Sequence, residues 1–101
     1  MKITTVSQLC AITGGTLLYG KETVIDRVVT DSREGGAQAL YIPIIGATND
    51  GHAFMKNALD NGCAGTLTSD EAAAKELIAE LPDAFFILVP DTEKALHAIA
   101  K

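Results

Sequence analysis

Basic residues are scarce in this sequence: eight Lys and Arg face thirteen Asp and Glu, a formal net charge of −5. With a pI near 4.8, most of the surface repels a phosphate backbone. That argues against nucleic acid or an anionic membrane as a general partner. Cysteine is nearly missing as well. Cys10 and Cys63 stand in opposite halves of the chain, no CxxC occurs, and His52 and His97 have no ligand-like spacing to either thiol. A structural zinc site needs four ligands, so no metal site is expected. Both thiols have apolar neighbours, and two buried free cysteines in a reducing cytosol are the expectation. No run of about 18 apolar residues is available to span a bilayer. The first ten residues, MKITTVSQLC, hold one Lys and no cleavage-site pattern, so a cytoplasmic protein is expected. GxGxxG, GxxxxGKS and GxxxxGKT are absent too, so this chain has no loop to cradle a nucleoside triphosphate.

What is present fits one folded domain over residues 1–101. Hydrophobic residues make up 48% and charged residues 21%, ordinary values for a chain with a packed core. Nine Gly and three Pro scattered along the sequence exclude a coiled coil. Ser7 is a candidate cap for a short helix over Gln8 to Thr13, which Gly14-Gly15 stops. Thr16 to Tyr19 reads as a short strand, and the β-branched run Val24 to Thr30 as a longer one. Ala39 to Ile45 is almost continuously apolar, with Pro43 marking an edge or bulge. Asn49 or Asp50 can cap a helix reaching Asn61, with Phe54, Met55, Ala58 and Leu59 on one face and Gly62 closing it. Ala64 to Thr68 is the next strand. A helix capped by Ser69 or Asp70 follows, carrying Ala73, Leu77, Ile78 and Leu81 at helical spacing until Pro82. Ala84 to Val89 is a buried strand, and Asp91 caps the last helix. Helices alternating with strands require crossovers, so the fold class is α/β: a mixed, largely parallel sheet with packed helices.

Two polar stretches interrupt this design. Thr30-Asp31-Ser32-Arg33 directly follows a strand, where ligands of α/β sheets sit. Its carboxylate, hydroxyl and guanidinium together can hold amides, sugar hydroxyls and phosphate. The same residues also serve as a plain Asp-Ser turn with a surface arginine. Gly46 to His52 leads from a strand into a helix whose free backbone N–H groups suit an anion or carbonyl. An N-capped helix after a glycine turn would look the same.

Taken in order, Thr30-Asp31-Ser32-Arg33, Leu40-Tyr41-Ile42, Gly46, Asp50-Gly51-His52, Phe54, Ala58 and Gly62 resemble the N-terminal domain of the Mur ligases. That pattern runs TDSR, a spacer, an LF strand, G, DGH, F, A and GA. Ile12-Thr13-Gly14-Gly15 on one side, and Val89-Pro90-Asp91-Thr92 with Ala95-Leu96 on the other, extend the resemblance over essentially the whole chain. The ITGG segment is more similar to the branch that adds D-alanyl-D-alanine to a UDP-muramoyl tripeptide. The branch that adds the third peptide residue is the near alternative.

The resemblance implies a domain that binds the UDP-N-acetylmuramoyl-peptide substrate of an ATP-dependent, amide-forming ligase in peptidoglycan precursor synthesis. ATP and Mg2+ would belong to a central domain of the same polypeptide. This chain would carry no cofactor and no catalysis of its own, and would be monomeric. Carried over by position, Asp31, Ser32 and Arg33 would frame the uridine and diphosphate. Gly46, Asn49, Asp50, Gly51 and His52 would supply the facing loop and helix terminus. The chain departs from the pattern at Ala37-Gln38-Ala39, where Pro-Gly-Asp is usual, at Pro43, and at Gly35-Gly36. Those departures keep open a freestanding interaction or regulatory module that retains the fold without the ligand. A hydrolase built from Ser32, His52 and Asp50 or Asp91 is a third reading, without a GxSxG around Ser32.

Overall fold

Apolar side chains alternate along the central strands, and this alternation sorts them onto two faces. The computed structural model describes residues 3–46 and 50–100. In chain order it contains β1 (Thr4–Thr5), α1 (Val6–Thr13), β2 (Thr16–Tyr19), β3 (Val24–Ile25), β4 (Arg27–Val29), β5 (Ala39–Tyr41), α2 (Met55–Asp60), β6 (Gly65–Thr68), α3 (Glu71–Glu80), β7 (Phe85–Leu88) and α4 (Thr92–Ala100). Two 3-10 turns are present, Ser32–Glu34 between β4 and β5 and Gly51–Phe54 leading into α2. The main sheet has the order β2-β7-β6-β5-β4. Strands β4 to β7 are parallel neighbours, and β2 joins β7 antiparallel. On one face Leu40, Ile42, Leu67, Phe85 and Ile87 pack against Val6 and Leu9 of α1 and Ala95 of α4. On the other, Ala39, Tyr41 and Phe86 meet Met55, Ala58 and Leu59 of α2 and Ala74 of α3. The result is the expected α/β architecture, a mixed and largely parallel sheet between helices.

Several local expectations change. Helix α1 starts two residues early because Thr5, not Ser7, is its cap. The Thr5 hydroxyl accepts from Gln8 N at 3.3 Å while the Gln8 side chain accepts from Thr5 N at 2.9 Å, a capping box. The stop at Gly14 is as expected, in the left-handed conformation at φ 71°. The run Val24 to Thr30 is not one strand: it divides at Asp26, whose N–H turns to Gln38 O at 3.0 Å. Strand β3 then pairs with β1 outside the main sheet. Pro43 is at neither an edge nor a bulge; it lies beyond the end of β5, which is an inner strand. Phe54 is exposed rather than on the buried face of its helix, and Cys10 is only half-buried whereas Cys63 is buried.

Before β5 the chain makes a tight turn, with Ala39 N donating to Gly36 O at 3.1 Å. Its third residue, Gln38, has φ 65° and is the only non-glycine at positive φ among the described residues. A turn with that sign at its third position favours Pro second and Gly third, which is what the Pro-Gly of the resembling pattern supplies. Ala37 and Gln38 keep the turn at the expense of backbone strain. Gln38→Gly should therefore stabilise the domain by about 0.5–1 kcal/mol, less the chain entropy glycine adds to the unfolded state. Urea unfolding at unchanged slope measures it; a destabilised variant would contradict the strain.

Candidate functional site

Parallel order brings four strand ends to one edge of the sheet, the place where α/β sheets hold ligands. Thr30 to Arg33 leaves β4, Ile42 to His52 leaves β5, Ser69 and Asp70 leave β6, and Val89 to Asp91 leave β7.

At the β4 end, Asp31 caps the Ser32–Glu34 turn by accepting from Arg33 N at 2.9 Å. The same carboxylate takes the Arg33 guanidinium in a fork, Nε at 3.0 Å and Nη2 at 2.7 Å. Those bonds hold the Asp31 carboxyl down to about 2. The Arg33 side chain is 83% exposed, so its remaining N–H groups face solvent and can meet an anion. Arg33→Met should move the Asp31 pKa from about 2 part of the way back to 3.8, since the bond from the residue-33 amide survives. Its folded pKa lies below the unfolded one. The pair's contribution is therefore complete above about pH 4 and is lost as pH falls through about 2. Carboxyl 13C titration by NMR reads the shift directly.

Ser32 is buried and is fastened to α2. Its Oγ accepts from Asn57 Nδ2 and its carbonyl from Asn61 Nδ2, both at 2.9 Å. Asn57 and Asn61 are one helical turn apart and so share a face. Sequence reading singled out neither residue, since nothing local ties them to Ser32.

At the β5 end, the chain folds back on itself. Ile45 and Asp50 form an antiparallel bridge, Gly51 N donates to Ile44 O at 2.9 Å, and Tyr41 Oη donates to Gly51 O at 2.8 Å. Burial first, and then Asp31 and Asp50, pushes the Tyr41 phenol up to about 12, so it stays a donor. Gly46 lies exposed at the mouth of this loop; Asn49 lies outside the described residues.

Asp50 Oδ1 accepts from His52 N at 2.9 Å and lies 2.7 Å from His52 Nδ1. The backbone amide of His52, followed by its ring, holds the Asp50 carboxyl below its ordinary range. On the far side of the ring, Ser69 N donates to His52 Nε2 at 2.9 Å. A ring nitrogen that accepts carries no proton, so the proton is on Nδ1 and points at Asp50. Asp50, His52 and Ser69 thus stand in line, with Ser69 Oγ 3.2 Å from Nε2. They do not make a hydrolase: the single lone pair of Nε2 is taken by the closer backbone amide and cannot draw the proton from Oγ. Nor is a triad formed through Ser32, whose Oγ is bound by Asn57 instead. His52 is a strut tying the β5 loop to the end of β6.

Among the described residues no cluster of three or more His, Cys, Asp or Glu could hold a metal ion. A cavity of about 810 Å3 lies away from the strand ends, beside β4 between α1 and α4, with Ile12, Val28, Leu96 and Ile99 among its walls. Thr4, Gln8 and Arg27 supply its polar lining. A smaller one, about 190 Å3, opens at the ends of β6 and β7.

The family described as Mur ligase family, catalytic domain, matches residues 24–101. This chain belongs to the Mur ligases. It is 33% identical over 95 residues to the UDP-N-acetylmuramoyl-tripeptide–D-alanyl-D-alanine ligase of Buchnera aphidicola, covering 94% of this chain and 19% of that protein. To the enzyme of the same name from Bacillus subtilis it is 34% identical over 100 residues, covering 96% and 21%. A crystal structure of MurF from Acinetobacter baumannii superimposes with a TM-score of 0.81 at 25% identity, over 98% of this chain and 20% of that one. The chain therefore spans about a fifth of the length of these Mur ligases. Family members are ATP-dependent ligases of peptidoglycan synthesis and typically use Mg2+. The donor set of this chain does not fit either group, with no phosphate loop in the sequence and no acidic or histidine cluster among the described residues. No helix among the described residues is long and apolar enough to cross a membrane.

Proposed function

We propose that this domain binds the UDP-N-acetylmuramoyl-peptide substrate of an ATP-dependent ligase that adds D-alanyl-D-alanine. One observation carries the reading: the two polar turns are built into one edge by tertiary bonds. Ser32 is clamped to α2 by Asn57 and Asn61, and the turn at Gly51 is held by Tyr41 of β5. Arg33, oriented by Asp31, is placed to fork onto the diphosphate. The Ser32 hydroxyl accepts from Asn57 and keeps its own proton to donate to a phosphate or uracil oxygen. Gly46, Asp50, Gly51 and His52 supply the facing loop and turn, and Asn49, outside the described residues, is assigned to the same loop by its place in the sequence. ATP, Mg2+ and the incoming dipeptide are assigned to the rest of the polypeptide, with this domain in a monomeric, cytoplasmic enzyme.

The alternative of a ligand-free interaction module rests on the departures at Ala37–Ala39 and at Pro43. The turn at Ala37–Ala39 keeps its hydrogen bond, and Pro43 leaves intact the bond from Gly51 N to Ile44 O beside it. An amide-shift titration with UMP and with a UDP-N-acetylmuramoyl tripeptide tests the proposal. Saturable shifts are expected at Ser32, Arg33 and His52. If both compounds leave those amides unmoved at millimolar concentration, the domain is not the substrate holder.

A further inference from the structure

The crossover that carries Ser32 and Arg33 is short for its task. Strands β4 and β5 are parallel, with Arg27 level with Ala39 and Val29 with Tyr41. The chain leaves Val29 at one end of β4 and returns to the other end within residues 30–38. Such a connection ordinarily takes a dozen or more residues and a helix. This one has the single turn Ser32–Glu34, so its course depends on what grips it from outside.

The outward limb is tied by Asp31, Asn57 and Asn61, as described above. The return limb, Gly35-Gly36, runs between two groups. On one side is the end of α2: a Cβ on Gly35 would stand 2.5 Å from Asn61 O and 2.7 Å from Asn61 C. On the other is the side chain of Arg27, from the start of β4. Its Nη2 donates to Glu34 O at 3.3 Å and to Gly35 O at 3.1 Å, and a Cβ on Gly36 would strike that same nitrogen. Carbonyls at the end of a helical turn have no partner within it, so a guanidinium across them fixes where the turn stops. The glycine pair, a departure from the Mur pattern, is what lets Asn61 and Arg27 close on the limb from both sides. Asn61 serves the two limbs together, since its side chain also donates to Ser32 O at 2.9 Å.

We infer that Arg27 is a positioning residue for the diphosphate of the substrate. By clasping the exit of the turn it holds the Ser32 hydroxyl and the Arg33 backbone in the directions that the ligand requires, acting through the turn and not on the ligand. This rests on the substrate-binding reading above and adds a residue that lies outside its motif.

Three substitutions separate positioning from charge. Arg27→Met removes both bonds and the cation. Gly36→Ala keeps the cation but sets a methyl group where Nη2 lies, and the guanidinium, the far end of a flexible side chain, swings off the carbonyls. Arg27→Lys keeps a cation, and because one nitrogen makes both bonds, an ammonium can stand in for it. UMP titrations of the 101-residue chain, read at the amides of Ser32 and His52, measure the effect. Arg27→Met and Gly36→Ala are each expected to weaken UMP about fivefold, and Arg27→Lys by less than about twofold. Since Arg27 is exposed, melting temperatures should stay within a few degrees of the parent. Without ligand, Arg27→Met and Gly36→Ala should also shift the side-chain amide signals of Asn57 and Asn61 across the turn. Weakening by Arg27→Met with none by Gly36→Ala would make Arg27 a distant charge that attracts the anion and would overturn the positioning role. Unchanged affinity in both would overturn it as well and leave the substrate reading standing. A parent chain in which UMP shifts neither amide would defeat the two together. Should Arg27→Met fail to fold, Gly36→Ala decides alone.

Discussion

Gly51→Ala is expected to lower the stability of this domain by about 3 kcal/mol, the upper range for forcing an extra carbon into a packed site. A Cβ on Gly51 would stand 2.6 Å from Ile44 N, 2.9 Å from Pro43 Cα and 3.0 Å from Ile44 O. All three are backbone atoms, and the proline ring stiffens one of them, so no side chain can swing aside. Relief requires the two limbs of the loop to part. That loosens the bond from Gly51 N to Ile44 O and the bond from Tyr41 Oη to Gly51 O. For a domain of this size the melting temperature should fall by roughly 15 °C. Gly14→Ala is the control. Nothing lies within 4 Å of a Cβ there, and only its positive φ of 71° is at stake, a matter of about 1–2 kcal/mol. If the two variants melt together, the close backbone approach at Gly51 has been misjudged. A stable Gly51→Ala domain should also lose the UMP-induced shifts, because the same loop faces the ligand.

The elements of this domain are local events, and most could be read from local pattern. The continuous apolar run Ala84 to Val89, helical spacing in Ala73 to Leu81, and caps at Ser69 or Asp70 and at Asp91 are written within a few residues. The structure takes Asp70 of the first pair, with Ala73 N on Asp70 at 3.0 Å, and Lys94 N on Asp91 at 3.0 Å. The misplaced start of α1 was also local. Thr5 followed by Gln8 spells a capping box, but Ser7 is an equally good cap by residue type and in fact turns its hydroxyl to Glu22. The split of Val24 to Thr30 was not readable in that way, since two β-branched pairs around Asp26 look like one strand. Only the pairing partners, β1 for one half and β5 for the other, separate them.

The candidate site divides along the same line. Asp31, Arg33 and Asp50 act on neighbours two positions away, so their chemistry shows in a short motif. The bonds from Ser32 to Asn57 and Asn61 and from His52 to Ser69 span 17 to 29 positions. Sequence spacing carries no trace of such pairs. They exist because the parallel order sets the ends of β4, β5 and β6 side by side.

His52→Leu is the second large effect, expected to cost about 2–3 kcal/mol and roughly 10–15 °C in melting temperature. Leucine fills much of the ring's volume in this buried position, so packing alone would predict little loss. The loss comes from hydrogen bonding. Removing the ring leaves Ser69 N without its acceptor at 2.9 Å and Asp50 Oδ1 without its contact to Nδ1 at 2.7 Å. A part-buried amide with no acceptor is worse than a bond never made. Two further readouts separate this account from simple packing. Ring 15N shifts should show the proton on Nδ1 of His52, and the Ser69 amide, protected in the parent chain, should exchange fast in His52→Leu. Ser69→Ala keeps the amide and removes only the hydroxyl at 3.2 Å, so it should stay within about 0.5 kcal/mol of the parent. A Ser69→Ala variant as unstable as His52→Leu would mean that the hydroxyl, not the amide, holds Nε2. That outcome would leave His52 Nε2 facing the Ser69 hydroxyl as a base, an arrangement distinct from the Ser32 hydrolase reading, whose Oγ is held by Asn57.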